Sequence, residues 1–111
     1  MDFDLALLGP AFSKRAVAWE ELALTVEPAF PPSATAKPSS EVRFESADYL
    51  GNFVVWVSGE GEATVVRLRD GRRMVKVHRL TSPAALDGAI GELIAFIGEG
   101  EVPTGGHLWD R

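Results

Sequence analysis

The stretch from Tyr49 to Leu68 reads YLGNFVVWVSGEGEATVVRL. β-Branched and aromatic side chains dominate it, and such residues suit a pleated, half-buried surface. Within it, NFVVWVS puts Phe53, Val55 and Val57 on one face of a strand and Val54 and Trp56 on the other. A strand apolar on both sides belongs inside a sheet, with each face covered or with one left open to a partner. Trp56 therefore has two readings, as a residue covered by a helix or as an exposed anchor. SGEGE then supplies a turn, and ATVVRLR a further strand.

The same period of two extends in both directions. Upstream, VRFESAD sets Val42 and Phe44 opposite Arg43 and Glu45, and Tyr49 to Asn52 forms a turn or the entry to the second strand. Downstream, Asp70-Gly71 between LR and RR is a two-residue hairpin signal, because glycine tolerates the positive φ such turns need. RMVKVHRL follows, with Val75 and Val77 on one face and Lys76 and His78 on the other. Four strands joined by tight turns predict an antiparallel meander in the order 1-2-3-4.

Helices flank the meander. Leu5, Leu8, Phe12, Ala16, Trp19, Ala23 and Val26 recur in steps of three and four, one stripe of a helix with Trp19 in the core. Pro10 interrupts that stripe, so a short first turn, a break and a main helix from Phe12 to Leu24 are expected. After the strands, Ser82 can cap a helix that Pro83 begins. Leu86, Ile90, Leu93, Ile94 and Ile97 form its buried stripe, up to Gly98. The expected fold is α+β: a four-stranded antiparallel meander packed with an N-terminal and a C-terminal helix. Residues 1–98 form one domain, with PAFPPSATAKPSS (28–40) as a proline-rich connecting loop. The glycine-rich tail 99–111 is expected to be mobile unless Trp109 docks.

A chain of 111 residues has the size of one domain. With no cysteine, disulfides and thiolate metal sites are excluded. The acidic start MDFDLALLGPAF lacks the basic opening and long apolar centre of a secretory signal, and no apolar run reaches 18 residues. A cytoplasmic protein without a membrane partner is expected. Charge is unevenly placed. Arg67, Arg69, Arg72, Arg73, Lys76 and Arg79 against Asp70 give residues 67–79 a charge of +5, within a chain whose net charge is −5.

Chemistry is hard to find. His78 and His107 have no carboxylates at metal-ligand spacing, and no serine sits in a nucleophile elbow. Gly59-Glu60-Gly61 and Gly98-Glu99-Gly100 would repel phosphate through their glutamates and do not run from a strand into a helix. No enzyme, metal or cofactor is expected. The hairpin RLRDGRR is basic, but the pI near 4.9 and the lack of interleaved aromatics speak against nucleic acid. A binding module remains. Loop acids project beyond a sheet without being needed for its packing, and tryptophan is enriched at interface anchors, so Asp48, Trp56, Glu60 and Glu62 are the candidate partner-binding residues.

The order of an amphipathic N-terminal helix, Tyr49-x-Gly51 and Trp56, a glycine turn, two further strands and a final helix resembles the TriTu family of bacterial immunity proteins over about residues 41–97. The family tends to carry a tryptophan in its last strand, where this chain has Met74-Val75. The resemblance implies a non-catalytic cytoplasmic protein that binds and neutralises a cognate toxin encoded beside it. That toxin is expected to be basic, because an acidic inhibitor associates faster with such a partner. Monomer and homodimer are both open. Two further classes fit a small acidic α+β chain: a secretion chaperone or adaptor for an effector, and a small-ligand-binding regulatory domain with a cavity under its sheet.

Overall fold

The computed structural model describes residues 3–27 and 37–110. Most of the proline-rich connector expected at 28–40 lies outside the described residues; its end, Ser39-Ser40, opens a strand. Six strands form one antiparallel sheet in chain order: β1 (Thr25–Val26), β2 (Ser39–Glu45), β3 (Tyr49–Trp56), β4 (Glu60–Arg67), β5 (Arg72–Arg79) and β6 (His107–Asp110). A 3-10 turn (Leu5–Leu7) leads into α1 (Leu8–Ser13) and α2 (Ala16–Glu21), and α3 (Pro83–Glu99) separates β5 from β6.

The α+β class and the consecutive antiparallel order hold, but the sheet has six strands rather than four. Each added strand lies at an edge and is too short to show an alternating pattern. β1 pairs only Thr25 with Glu45 and Val26 with Phe44. β6 pairs His107 to Asp110 with Val75 to Arg72, so the glycine-rich tail docks through its backbone.

The central turns also shift. Ser46 Oγ accepts the backbone N–H groups of Asp48 and Tyr49 at 3.2 and 3.1 Å, which closes the β2–β3 turn early and releases Tyr49 to Asn52 into β3. The Asp70-Gly71 hairpin is longer than two residues: 68–71 form its loop, and Gly71, at φ +73°, donates to Arg67 O at 2.8 Å. Asp70 accepts from the Arg67 guanidinium at 2.6 Å and from Arg72 N at 3.0 Å, and these bonds hold its carboxyl well below the usual carboxylate range.

The N-terminal helix breaks at Lys14-Arg15 rather than at Pro10. Pro10 sits in the first turn of α1, where a helix has no use for its missing N–H. Phe12 O instead receives Arg15 N at 3.1 Å and the Trp19 indole N–H at 2.7 Å, which ends α1 and starts α2 at Ala16. The expected single helix Phe12 to Leu24 is thus two short ones. Trp19 is buried and stacks on Phe12 at 5.4 Å. Ser82 Oγ caps α3 by accepting Ala85 N at 3.1 Å. The helix runs past Gly98 to Glu99, and Gly100, at φ +73°, closes it by donating to Phe96 O at 2.9 Å.

All three helices serve one side of the sheet. Val42, Phe44, Phe53, Val55, Ala63, Val65 and Met74 alternate toward it and are buried with Leu8, Phe12, Leu86, Ile90 and Leu93. Ile94 is only partly buried, and Ala89 and Phe96 join the buried stripe. Lys14 bonds Asp87 at 2.7 Å and Arg15 donates to Asp87 O at 3.1 Å, tying the N-terminal helices to α3.

Candidate functional site

Strand parity leaves the alternate residues of β2 to β5 on the side away from the helices. Register turns them into rows. Glu41, Val54, Glu62 and Val77 stand side by side across four strands, and so do Arg43, Asn52, Thr64 and Val75. Glu45, Leu50, Val66 and Arg73 make a third row, and Trp56 lies beside Ser39 at the end of β3. This face holds apolar side chains that water reaches: Val77 is 66% exposed and Leu50 49% exposed, while Val54, Trp56, Val66 and Val75 are half-buried.

Three of the four sequence-derived candidates meet on this face. Trp56 ends β3, Glu60 begins β4, and Glu62 is the direct neighbour of Val54. Lys37 joins two of them, with its ammonium 5.8 Å from the Trp56 ring centroid and 3.3 Å from Glu60. Asp48 does not join them. It is exposed in the β2–β3 turn, and its carbonyl accepts Leu68 N at 2.8 Å beside the basic hairpin. From Tyr49 to Trp56 is seven strand steps, roughly 23 Å.

Among the described residues no helix lies over Trp56, and its side chain is half-buried beside Lys37. The residues that sequence reasoning missed are Leu50, Val66, Val75 and Val77. For Val75 and Val77 a signal was present in the alternation of β5, whose Met74, Lys76 and His78 turn toward the helices and leave the two valines outward. The separation of acids from the basic segment also disappears in three dimensions, because Glu60 is the partner of Arg79 and Glu62 that of Val77.

Glu41 accepts from Asn52 Nδ2 at 2.8 Å and from Arg43 at 3.3 Å. Burial works against its charge, but the Asn52 amide and the Arg43 guanidinium more than offset that and lower its pKa. Glu45 and Glu62 make no ion pair with the described residues. At one end of the face a cleft of about 340 Å³ is lined by Leu50, Thr64 and Val66 together with Glu27, Arg43 and Glu45.

On the helix side, Lys76 Nζ bonds both oxygens of Glu92 at 2.7 and 2.8 Å, and His78 Nδ1 lies 3.7 Å from the same carboxylate. The His78 ring stacks on Phe53 at 5.8 Å. Burial first, and Lys76 second, push its pKa below the ordinary 6.5, while Glu92 pulls the other way. The side chain is only 9% exposed. His107 stands on β6 opposite Val75. Among the described residues no three His, Asp or Glu side chains converge as metal ligands, and no helix is long and apolar enough to cross a membrane.

Comparison with known proteins adds one finding. The family model described as Immunity protein TriTu matches residues 12–96, which span α2, β1 to β5 and most of α3. No curated protein matches, and no solved structure does.

Proposed function

Because the chain belongs to the TriTu family of immunity proteins, we infer that it protects its host by binding a cognate toxin domain and holding it inactive, without chemistry of its own. The observation that carries this reading is the family match over residues 12–96. The geometry supports it in two ways. Among the described residues, an apolar sheet face stands without a helix over it, and no group of three His, Asp or Glu side chains gathers there to hold a metal ion.

The toxin is a basic protein domain. With a net charge of −5, the chain attracts such a partner before contact, and Glu60 and Glu62 lie beside Trp56 where the attraction ends in docking. Asp48, at the far turn, contributes to the long-range field. Inhibition takes place in the cytoplasm, where an immunity protein meets the toxin.

The test is co-expression with the toxin encoded in the neighbouring reading frame. Cells carrying the chain should survive induction of that toxin, and His78→Ala and His107→Ala should protect as well as the wild type. Loss of viability with the wild-type chain present would end the reading; loss with a histidine variant that still binds would return catalysis to it. Neutralising Glu60 and Glu62 together should slow association with the purified toxin domain and flatten its salt dependence, leaving dissociation less affected. Protection of a secreted effector from aggregation, without protection of the cell, would favour the chaperone alternative instead.

A further inference from the structure

Charge on the helix-free face is not spread evenly. Its β2 to β4 portion carries Glu41, Glu45, Glu60 and Glu62 against one arginine, Arg43, whose guanidinium already meets Glu41 at 3.3 Å. Val54 has Glu41 on one side and Glu62 on the other, and Leu50 has Glu45 beside it. The apolar residues of β3 therefore run between two lines of carboxylates. Beyond β4, Val75 and Val77 continue the apolar surface between Arg73 and Arg79, and Lys37 meets Glu60 at 3.3 Å, so the acidic character is confined to the strip around Leu50 and Val54. The cleft that Leu50 and Val66 help to line has room for one long side chain, and its lining sets two carboxylates, Glu27 and Glu45, against the single guanidinium of Arg43, which favours a cation.

The geometry points to this helix-free sheet face as the surface that receives the toxin domain, with apolar residues of the toxin over Leu50, Val54 and Val77, flanked by lysine or arginine side chains, one of them seated in the cleft. The inference rests on the immunity reading and adds which face makes the contact and what chemistry the toxin must present there. Nucleic acid or an anionic lipid surface fits less well, because either would bring phosphate to these carboxylates. A cationic protein segment satisfies both the apolar strip and its acidic borders. It also explains how the face can leave Val77 open, since the partner completes the second layer of the sheet.

The chain has no cysteine, so single cysteines report on each side without interference. Val77→Cys marks the helix-free face, and Val17→Cys, at a position 68% exposed on α2, marks the opposite side. Each variant is mixed with the purified toxin domain from the neighbouring reading frame, and its reaction with a thiol reagent is timed. The bound toxin should slow labelling of Val77→Cys at least about tenfold and leave Val17→Cys unchanged. Failure of the Val77→Cys variant to bind, with Val17→Cys binding normally, supports the same surface. In the same assay, Glu41→Lys with Glu62→Lys should lower the association rate about tenfold or more at low salt.

A bound toxin that shields Val17→Cys and leaves Val77→Cys reactive would overturn the inference while leaving the immunity reading intact. Absence of any complex with the wild-type chain would sink the immunity reading and this inference with it. Shielding of Val77→Cys that grows with protein concentration in the absence of toxin would give the face to a second copy. Shielding by DNA or by anionic vesicles would give it to phosphate. Either result contradicts a cationic protein partner.

Discussion

The two sides of the sheet obey different rules although they share every strand. Toward the helices, Phe53, Val55 and Val65 are fully buried, and the Lys76 ammonium there is paired with Glu92 through two hydrogen bonds. On the other side apolar and charged residues alternate within a single row, as in Glu41, Val54, Glu62 and Val77. The first arrangement maximises burial. The second leaves apolar surface in water beside carboxylates, which suits a surface completed by another molecule. Stability should therefore reside on one side and recognition on the other, and substitutions can break that division.

The largest effect belongs to Phe53, which is fully buried between Phe12 and His78. Phe53→Ala should cost roughly 3–5 kcal/mol in a denaturant melt, enough to remove much of the stability of a domain this size. A loss below about 1 kcal/mol would mean that the helix side is not the core. Gly51→Ala comes next. A Cβ there would stand 2.3 Å from Thr64 O and 2.6 Å from the Phe44 ring, so backbone must move to admit it. Overpacking of this kind costs about 1–3 kcal/mol, read from the same melt. A stability equal to wild type would show that β3 and β4 can separate freely at that point.

Trp56→Ala sharpens the contrast from the other side. The ring is half-buried and faced by Lys37, so its loss should lower stability by about 1 kcal/mol or less. Dissociation of the toxin domain should nevertheless speed up by tenfold or more, as expected when an aromatic anchor is removed. An unfolded Trp56→Ala chain would place this residue in the core after all, and unchanged dissociation would remove it from the contact.

How much of this division is legible in the sequence follows from which signals are local. Alternation in β2 to β5 is local, so the meander and its order can be read directly. The edge strands are not, because two paired residues in β1 and four in β6 owe their conformation to Glu45, Phe44 and Arg72 to Val75 across the sheet. The helix break is set by Trp19 reaching back to Phe12 O, a tertiary bond that a stripe of apolar positions does not reveal. Of the candidate site, Trp56, Glu60 and Glu62 could be named in advance, but their grouping depends on register. The outward turn of Val75 and Val77 could not be read from β5 alone, because Val-Lys-Val-His alternates equally well either way. What decides it is Met74 lying beside Val65 in the buried core on the helix side.

The smallest effect is a pH dependence, and it tests whether the helix side excludes charge even where a carboxylate is near. His78 lies on that side between Phe53, Lys76 and Glu92. Burial and the Lys76 ammonium lower its pKa; the Glu92 carboxylate opposes them but is already held by Lys76 through both oxygens. Lowering means that below pH 6.5 the unfolded chain takes up a proton at this histidine more readily than the folded one. Stability from this residue is therefore complete above 6.5, declines as the pH falls below it, and levels off once the folded histidine is protonated too. The slope from one such group cannot exceed about 1.4 kcal/mol per pH unit, and a partial shift gives less. Denaturant melts between pH 7.5 and 5 should show a steeper loss for the wild type than for His78→Gln, whose side chain does not titrate. Equal slopes would mean that burial leaves His78 unaffected. A wild type that gains stability relative to His78→Gln as the pH falls would mean that Glu92 outweighs burial and Lys76 together, making the imidazolium a welcome third member of that ionic cluster.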